Sequence, residues 1–191
     1  MTKKIFIVYH SGYGHTEKLA EAVLEGAKSV PETEVTLMKS EDAIKNIDTL
    51  KEADAIIFGA PTYMGSLSAK FKEFMDASSK PWFTQDWSGK LAAGFTNSST
   101  PSGDKLNSLM QLVILASQHG MIWVSLGETA VKSDYVNRDN PDNINRMGFY
   151  LGAASQSRND ASPDQDPPQA DLSTGKRLGR RVANIAHKYE N

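Results

Sequence analysis

Ile5-Phe-Ile-Val-Tyr9, then His10-Ser11-Gly12-Tyr13-Gly14-His15-Thr16, then Leu19, Val23, Ala27 and Val30 at helical spacing: this opening stretch decides the fold. Five β-branched or aromatic residues without polar alternation predict a strand covered on both faces. The polar start Thr16-Glu17 ahead of an apolar repeat of helical period predicts an amphipathic helix. The glycine-bearing turn between them makes the pair the first half of a parallel crossover unit.

Working outward, the same alternation repeats. Further strands are expected at Glu34 to Met38, Ala55 to Gly59, Leu91 to Phe95 and Met121 to Ser125. Helices are marked by Leu67, Phe71, Phe74 and Met75, by Leu106, Leu109, Met110, Val113 and Ala116, and by Leu178, Val182, Ile185, Ala186 and Tyr189, with a shorter one from Glu41 to Lys51. Five strands joined by helical crossovers predict an α/β three-layer sandwich on a parallel sheet of order 2-1-3-4-5. The 191 residues fit one domain, 1–191. Within it, Lys132 to Leu172 is rich in Asn, Asp, Ser and Pro and breaks the alternation, which predicts a long surface excursion before a closing helix at about 173–189. Subunit contacts or substrate selection are expected in that excursion. The closing segment carries Lys176, Arg177, Arg180, Arg181 and Lys188 against Glu190 alone, a solvated face that complements the acidic excursion.

Composition narrows the chemistry. The chain has no cysteine, which removes thiolate nucleophiles, thiolate zinc sites and cysteine-held iron–sulfur clusters. Its net charge of −2 supplies no basic field for a polynucleotide, so no nucleic-acid partner is expected. No apolar run approaches the ~20 residues that span a bilayer, so no membrane association is expected, and the cytoplasm is the simplest location. His10, His15, His119 and His187 show no metal-ligand spacing, and no metal is expected.

The loop Ser11-Gly12-Tyr13-Gly14-His15-Thr16 falls at the carboxyl edge of the sheet, where open parallel sheets bind ligands. Its glycines allow tight turns, Ser11 and Thr16 offer hydroxyls, and the next helix presents free N–H groups and the positive end of its dipole. Without a lysine this is no GxxxxGK[ST] loop, and neutral donors at a helix terminus suit a monophosphate better than a magnesium triphosphate. A plain strand-to-helix turn with Thr16 as cap is the other reading. Two more loops share the edge, Gly59-Ala60-Pro61-Thr62-Tyr63-Met64-Gly65 and Thr96-Asn97-Ser98-Ser99-Thr100-Pro101-Ser102-Gly103. Both are uncharged and rich in small polar groups, which suits a neutral planar ring system, with Tyr13, Tyr63 and Trp82 as aromatic candidates beside it.

The pattern Tyr9-His-Ser-x-Tyr-Gly-His15, Gly59-x-Pro-Thr-x-x-Gly65 and His119-Gly120-Met121 resembles the flavodoxin-like NAD(P)H:quinone oxidoreductases, the multimeric flavodoxins named for a tryptophan-repressor-binding protein. The similarity spans nearly the whole chain. It implies a flavodoxin-like fold and a noncovalent FMN whose phosphate is held by Ser11, Gly12, Tyr13, Gly14, His15 and Thr16. The ribityl chain and ring would lie along Pro61, Thr62, Tyr63, Met64 and Gly65 and along Asn97, Ser98, Ser99, Thr100, Pro101 and Ser102, with His119 at the flavin edge. Tyr13, Trp82 and His119 would form the slot that NADH or NADPH and then a quinone occupy in turn, a ping-pong transfer of two electrons by the cofactor. Trp82 also fits simple packing, and His119 also fits the end of the preceding helix. A homodimer or homotetramer is the assembly the family implies. The fourth-strand loop, Ser-Ser-Thr-Pro-Ser-Gly here, departs from the family's usual glycine-rich form. An electron-carrying flavodoxin serving protein partners shares the fold and cofactor and is the alternative.

Overall fold

The computed structural model describes residues 1–130 and 137–189; residues 132–136 of the expected excursion, and Glu190, lie outside the described residues. The opening strand is β1 (Lys3–Tyr9), whose Ile5, Ile7 and Val8 are fully buried. It leads through residues 10–14 into α1 (His15–Lys28). β2 (Thr33–Lys39) then pairs with β1 in parallel register from Lys3↔Thr33 to Tyr9↔Lys39.

The rest of the chain repeats that unit. After α2 (Ser40–Lys45) and a 3₁₀ turn at Ile47–Glu52 come β3 (Ala55–Tyr63), the two-residue β4 (Ser66–Leu67), α3 (Ala69–Ala77) and α4 (Ser79–Phe83). β5 (Leu91–Ser98), α5 (Lys105–Gln118), β6 (Ile122–Trp123), β7 (Ala153–Gln156) and α6 (Gln169–Lys188) complete it. The main path through the sheet is β2-β1-β3-β5-β6, all parallel. With the small hairpin strand β4 set aside, this is the expected order, β5 and β6 being its fourth and fifth strands.

Two cores flank the sheet. On one face α1 and α6 bury Leu19, Val23, Leu178 and Val182 against Ile5, Ile7 and Phe95. On the other, α2, α3 and α5 bury Phe71, Phe74, Leu112 and Leu115 against Val8, Ile56 and Phe58. The α1–α6 approach is close enough to demand glycine: a Cβ on Gly179 would sit 2.0 Å from the Val23 carbonyl oxygen.

The departures among the expected strands reflect pairing that periodicity does not encode. β3 runs on to Tyr63, because Ala60 and Pro61 still pair with Thr96 and Asn97 of β5 while Thr62 and Tyr63 pair antiparallel with Leu67 and Ser66. The fifth strand shrinks from Met121–Ser125 to two residues, since β6 pairs only with Leu91 and Ala92. The far half of β5 is paired instead by β7, from Phe95↔Ala153 to Ser98↔Gln156. The polar stretch 132–172 is therefore not surface throughout: Ala153, Ala154 and Ser155 are buried in the sheet. On α5 the buried face is Ser108, Leu109, Leu112, Leu115 and Ala116, whereas Leu106 and Met110, expected to pack inward, are 54% and 41% exposed.

Candidate active site

β1, β3, β5 and β7 deliver four loops to the carboxyl edge, which enclose a cavity of about 920 Å³. Its first wall is the start of α1. Gly14 precedes the helix in the left-handed region (φ +88°) and offers no side-chain cap. Ser11 caps the helix in its place, with an Oγ that accepts from the N–H groups of Gly14 and Glu17, both at 3.1 Å. With both lone pairs engaged, the Ser11 hydroxyl proton is left to donate outward. The amides of His15 and Thr16 donate to no acceptor among the described residues. The Thr16 hydroxyl also lacks a partner among them, yet it is not sealed from solvent in a residue only 2% exposed, so the cavity it lines is its open side. These are neutral donors at a helix N-terminus, the chemistry a phosphate requires.

The carboxylate of α1's first turn, Glu17, is engaged elsewhere. Glu17 Oε1 accepts the Tyr9 hydroxyl at 2.5 Å and pairs with Lys39 Nζ at 3.2 Å. The bond from Tyr9, followed by Lys39, holds the Glu17 carboxyl below its ordinary range, while burial and Glu17 itself keep the Tyr9 hydroxyl protonated. The helix start thus faces no free anion from α1's first turn.

The second wall is the β3–β4 hairpin. Met64 and Gly65, both at positive φ (48° and 81°), form its two-residue turn, the geometry that suits a tight hairpin. Met64 adopts this conformation without the freedom of glycine and stands fully exposed at the cavity rim, a local strain of the kind found at functional sites. Tyr63 packs edge-on to Tyr13 with ring centroids 6.3 Å apart, and the two rings give the rim an aromatic surface. Beneath it, a buried hydroxyl chain has a defined direction. Thr96 Oγ1 donates to the Ala60 carbonyl, so it accepts from Thr62, which in turn accepts from Ser108 (2.7–2.8 Å throughout).

The third wall is the loop after β5. The Ser155 and Ser157 hydroxyls both donate to Asn97 Oδ1, at 2.7 and 2.9 Å. That assigns the amide's orientation and leaves the Nδ2 donors, without an acceptor among the described residues, on the cavity side of Asn97. Ser98, Ser99, Thr100, Gly103 and Asp104 continue this wall.

The fourth wall was hidden inside the polar excursion. Ser157, Arg158, Asn159, Ala161 and Pro163 line the cavity. Ser157 N–H extends the β7 pairing to the Ser98 carbonyl at 3.1 Å, and His15 Nε2–H donates to the Ala161 carbonyl at 3.0 Å. Asp166, 2% exposed, ties the segment down: it accepts from the Arg158 N–H (2.7 Å) and Nε (3.1 Å) and from Arg138 Nη2 (2.5 Å). Burial alone would raise its pKa, but the Arg158 bonds and the charge of Arg138 outweigh that and hold the carboxyl low. Arg158 and Asp104 are the two fully charged side chains that line the cavity among the described residues.

Of the residues singled out from the sequence, Tyr13, His15, Thr16, Pro61, Thr62, Tyr63, Met64, Gly65, Asn97, Ser98, Ser99 and Thr100 meet at this cavity. Ser11, Gly12 and Gly14 build the turn behind it; Pro101 and Ser102 complete the β5 loop without lining it. Trp82 and His119 do not reach it. Both follow crossover helices, which run back to the amino edge, so both sit at the opposite end of the sheet near Ser78, Ser88 and Gly120. His119 is 2% exposed and stacks on Trp87 with centroids 4.2 Å apart. Because the Ser78 hydroxyl donates to the Met75 carbonyl, it accepts from His119 Nε2–H at 2.9 Å, which leaves Nδ1 buried and unprotonated. Burial drives the His119 pKa down to about 4. This histidine is a neutral packing group within the chain. Trp82 is 40% exposed against Phe83, which is 82% exposed.

Comparison with known proteins agrees with this architecture. The family model described as NADPH-dependent FMN reductase matches residues 10–135. The chain is 44% identical to Flavodoxin FldP of Pseudomonas aeruginosa over 187 residues, 97% of each chain. It is 33% identical over 207 residues to an NAD(P)H dehydrogenase (quinone) of Archaeoglobus fulgidus, covering 97% of this chain and 98% of that one. The crystal structure of a flavodoxin, WrbA-like protein from Agrobacterium tumefaciens superposes with a TM-score of 0.75 at 42% identity, over 98% of this chain and 99% of that one. The helix start capped by Ser11, the β3 and β5 loops rich in small polar groups and this breadth of similarity lead to one conclusion: the chain belongs to the NADPH-dependent FMN reductase family, among its WrbA-like, flavodoxin-like members.

Proposed function

We propose that the protein is an FMN-dependent oxidoreductase that moves two electrons from NADH or NADPH to a quinone in a ping-pong cycle. The observation that carries this reading is the α1 terminus: free His15 and Thr16 amides, an outward Ser11 proton and a partnerless Thr16 hydroxyl, all judged among the described residues, form a set of neutral donors suited to the phosphate of the family's cofactor. The wall groups fit the remainder of FMN. Asn97 Nδ2 and the β5-loop amides are donors for a ring with acceptor edges, and Thr62 lies along the path between the two ends. The cofactor, when bound, supplies the hydride and electron chemistry.

What this chain's residues contribute is position and exclusion. The α1 turn anchors the phosphate, the Asn97 amide orients the ring edge, and Tyr13 and Tyr63 leave an aromatic rim on which a planar donor and then a planar acceptor stack in turn. Arg158, held by Asp166, places a positive charge on the wall beside His15 and suits the phosphates of a pyridine nucleotide. Since Trp82 lies at the far edge of the sheet, it contributes to such a slot only from a second copy of the chain, which favours a homodimer or homotetramer as the working unit. No helix among the described residues is long and apolar enough to cross a membrane.

A second reading, an electron carrier serving protein partners, is favoured by the likeness to Flavodoxin FldP. Steady-state kinetics separate the two. FMN-loaded protein that oxidises NADH or NADPH with benzoquinone at a rate linear in enzyme supports the reductase. Protein that binds FMN but turns over neither nucleotide, while accepting electrons singly from dithionite, supports the carrier.

A further inference from the structure

Lys105 is the one lysine buried to 0% exposure among the described residues, and it lies in the first turn of α5, directly below the β5 loop. It has no carboxylate partner among them. Its Nζ donates to the Thr100 carbonyl at 2.5 Å and to the Pro101 carbonyl at 3.2 Å. For folding alone, an apolar chain of similar length would cost less in that position than a buried ammonium.

The loop above it is polarised. Each carbonyl from Ser98 to Ser102 is engaged from the protein side: Ser98 by the Ser157 amide, Ser99 by Gln156 Nε2, Thr100 and Pro101 by Lys105 Nζ, Ser102 by the Lys105 amide. The amides of Ser99, Thr100, Ser102, Gly103 and Asp104 donate to nothing among the described residues. Ser99, Thr100, Gly103 and Asp104 line the cavity. A run of carbonyls turned inward over a buried cation, with free N–H groups left on the other side, is an arrangement that attracts electron-rich acceptors.

We infer that Lys105 is a positioning residue of this site: it clamps the β5 loop by the Thr100 and Pro101 carbonyls, and so presents a positively backed row of amides that favours the fully reduced, more electron-rich form of the bound isoalloxazine over the oxidised form. This rests on the FMN reading above. The charges that face Lys105 are Asp171 on α6 and Arg146 in the segment before β7; Asp171 is itself occupied by Arg146 Nε and Nη2 at 2.7 and 2.9 Å, and the Phe149 ring lies 6.0 Å from Nζ. Burial, offset in part by Asp171, brings the Lys105 pKa down to about 8, so the charge behind the loop is present at neutral pH and lost in mild alkali.

The test uses the full chain loaded with FMN, as wild type, Lys105→Met and Lys105→Arg, with midpoint potentials from spectroelectrochemical titration between pH 6.5 and 9.5 and oxidised-FMN affinity from fluorescence quenching. At pH 7, Lys105→Met is expected to weaken binding of reduced FMN about tenfold more than oxidised FMN, the scale of losing hydrogen bonds to a charged group. It therefore has the lower potential, while Lys105→Arg stays near wild type. The wild-type potential should show a break near pH 8 that both variants lack. If Lys105→Met does not fold, the wild-type and Lys105→Arg profiles decide: a break in the first alone supports the inference, and coincident profiles overturn it. FMN binding with equal potentials in wild type and Lys105→Met overturns the role of Lys105 alone; failure of the wild type to bind FMN overturns the cofactor reading and this one with it.

Discussion

Thr16→Val separates ligand binding from folding at the helix start. The Thr16 hydroxyl has no partner among the described residues, so replacing it by a methyl group of similar volume removes no internal hydrogen bond seen there. Unfolding free energy of the cofactor-free protein should change by less than about 1 kcal/mol. If the hydroxyl donates to a phosphate, the loss on binding is that of a hydrogen bond to a charged group, about 1.5 to 3 kcal/mol, or roughly 10- to 150-fold in Kd. Ser11→Ala behaves differently, because its Oγ caps the Gly14 and Glu17 amides in the cofactor-free state. It should cost about 1 to 2 kcal/mol of stability as well as weakening binding. The assay pairs urea denaturation of the cofactor-free variants with fluorescence titration by FMN and by riboflavin, which lacks the phosphate. Thr16→Val should lower FMN affinity and leave riboflavin affinity unchanged. Equal losses for both ligands, or none for FMN, would refute the phosphate cradle.

Three further outcomes follow from the geometry. His119 titrates near 6.5 when unfolded and near 4 when folded, so its stabilising share is complete above pH 6.5 and is lost as pH falls to 4, about 3 kcal/mol at most; urea midpoints of wild type and His119→Gln should converge over that interval. Asp166→Asn leaves Arg138 and Arg158 without their carboxylate and should cost about 3 kcal/mol, with amide exchange accelerated across residues 157–165 and not in β1. Gly179→Ala gains about 1 kcal/mol of helix propensity yet drives a Cβ to 2.0 Å from the Val23 carbonyl, so the net effect on the melting temperature should be a decrease; an increase would mean that α1 and α6 separate readily.

The unit β1, loop and α1 was legible because every signal in it agrees: an unbroken apolar run, two glycines in the turn and a helical repeat behind Thr16. The β3 and β5 loops followed from their place after strands of the same kind. β7 was not legible, since Ala153-Ala-Ser-Gln156 carries no apolar run and becomes a strand only because the far half of β5 needs a partner. With β7 unseen, Arg158 and its neighbours stayed inside a polar excursion rather than at the carboxyl end of a strand. The misplacement of Trp82 and His119 has a topological cause. Trp82 lies in α4 and His119 directly after α5, both on the return from helix to the next strand, and only connections from strand to helix reach the carboxyl edge of a parallel sheet. Lys105 gave no sequence signal, as a lysine at the start of an amphipathic helix ordinarily faces water.

Flavin-borne transfer between a nucleotide and a quinone is tested most directly by an anaerobic experiment on FMN-loaded protein. NADH or NADPH should bleach the visible flavin absorbance, and a stoichiometric addition of benzoquinone should restore it. Absorbance that neither nucleotide changes, in protein shown to hold FMN, would contradict the proposed reaction.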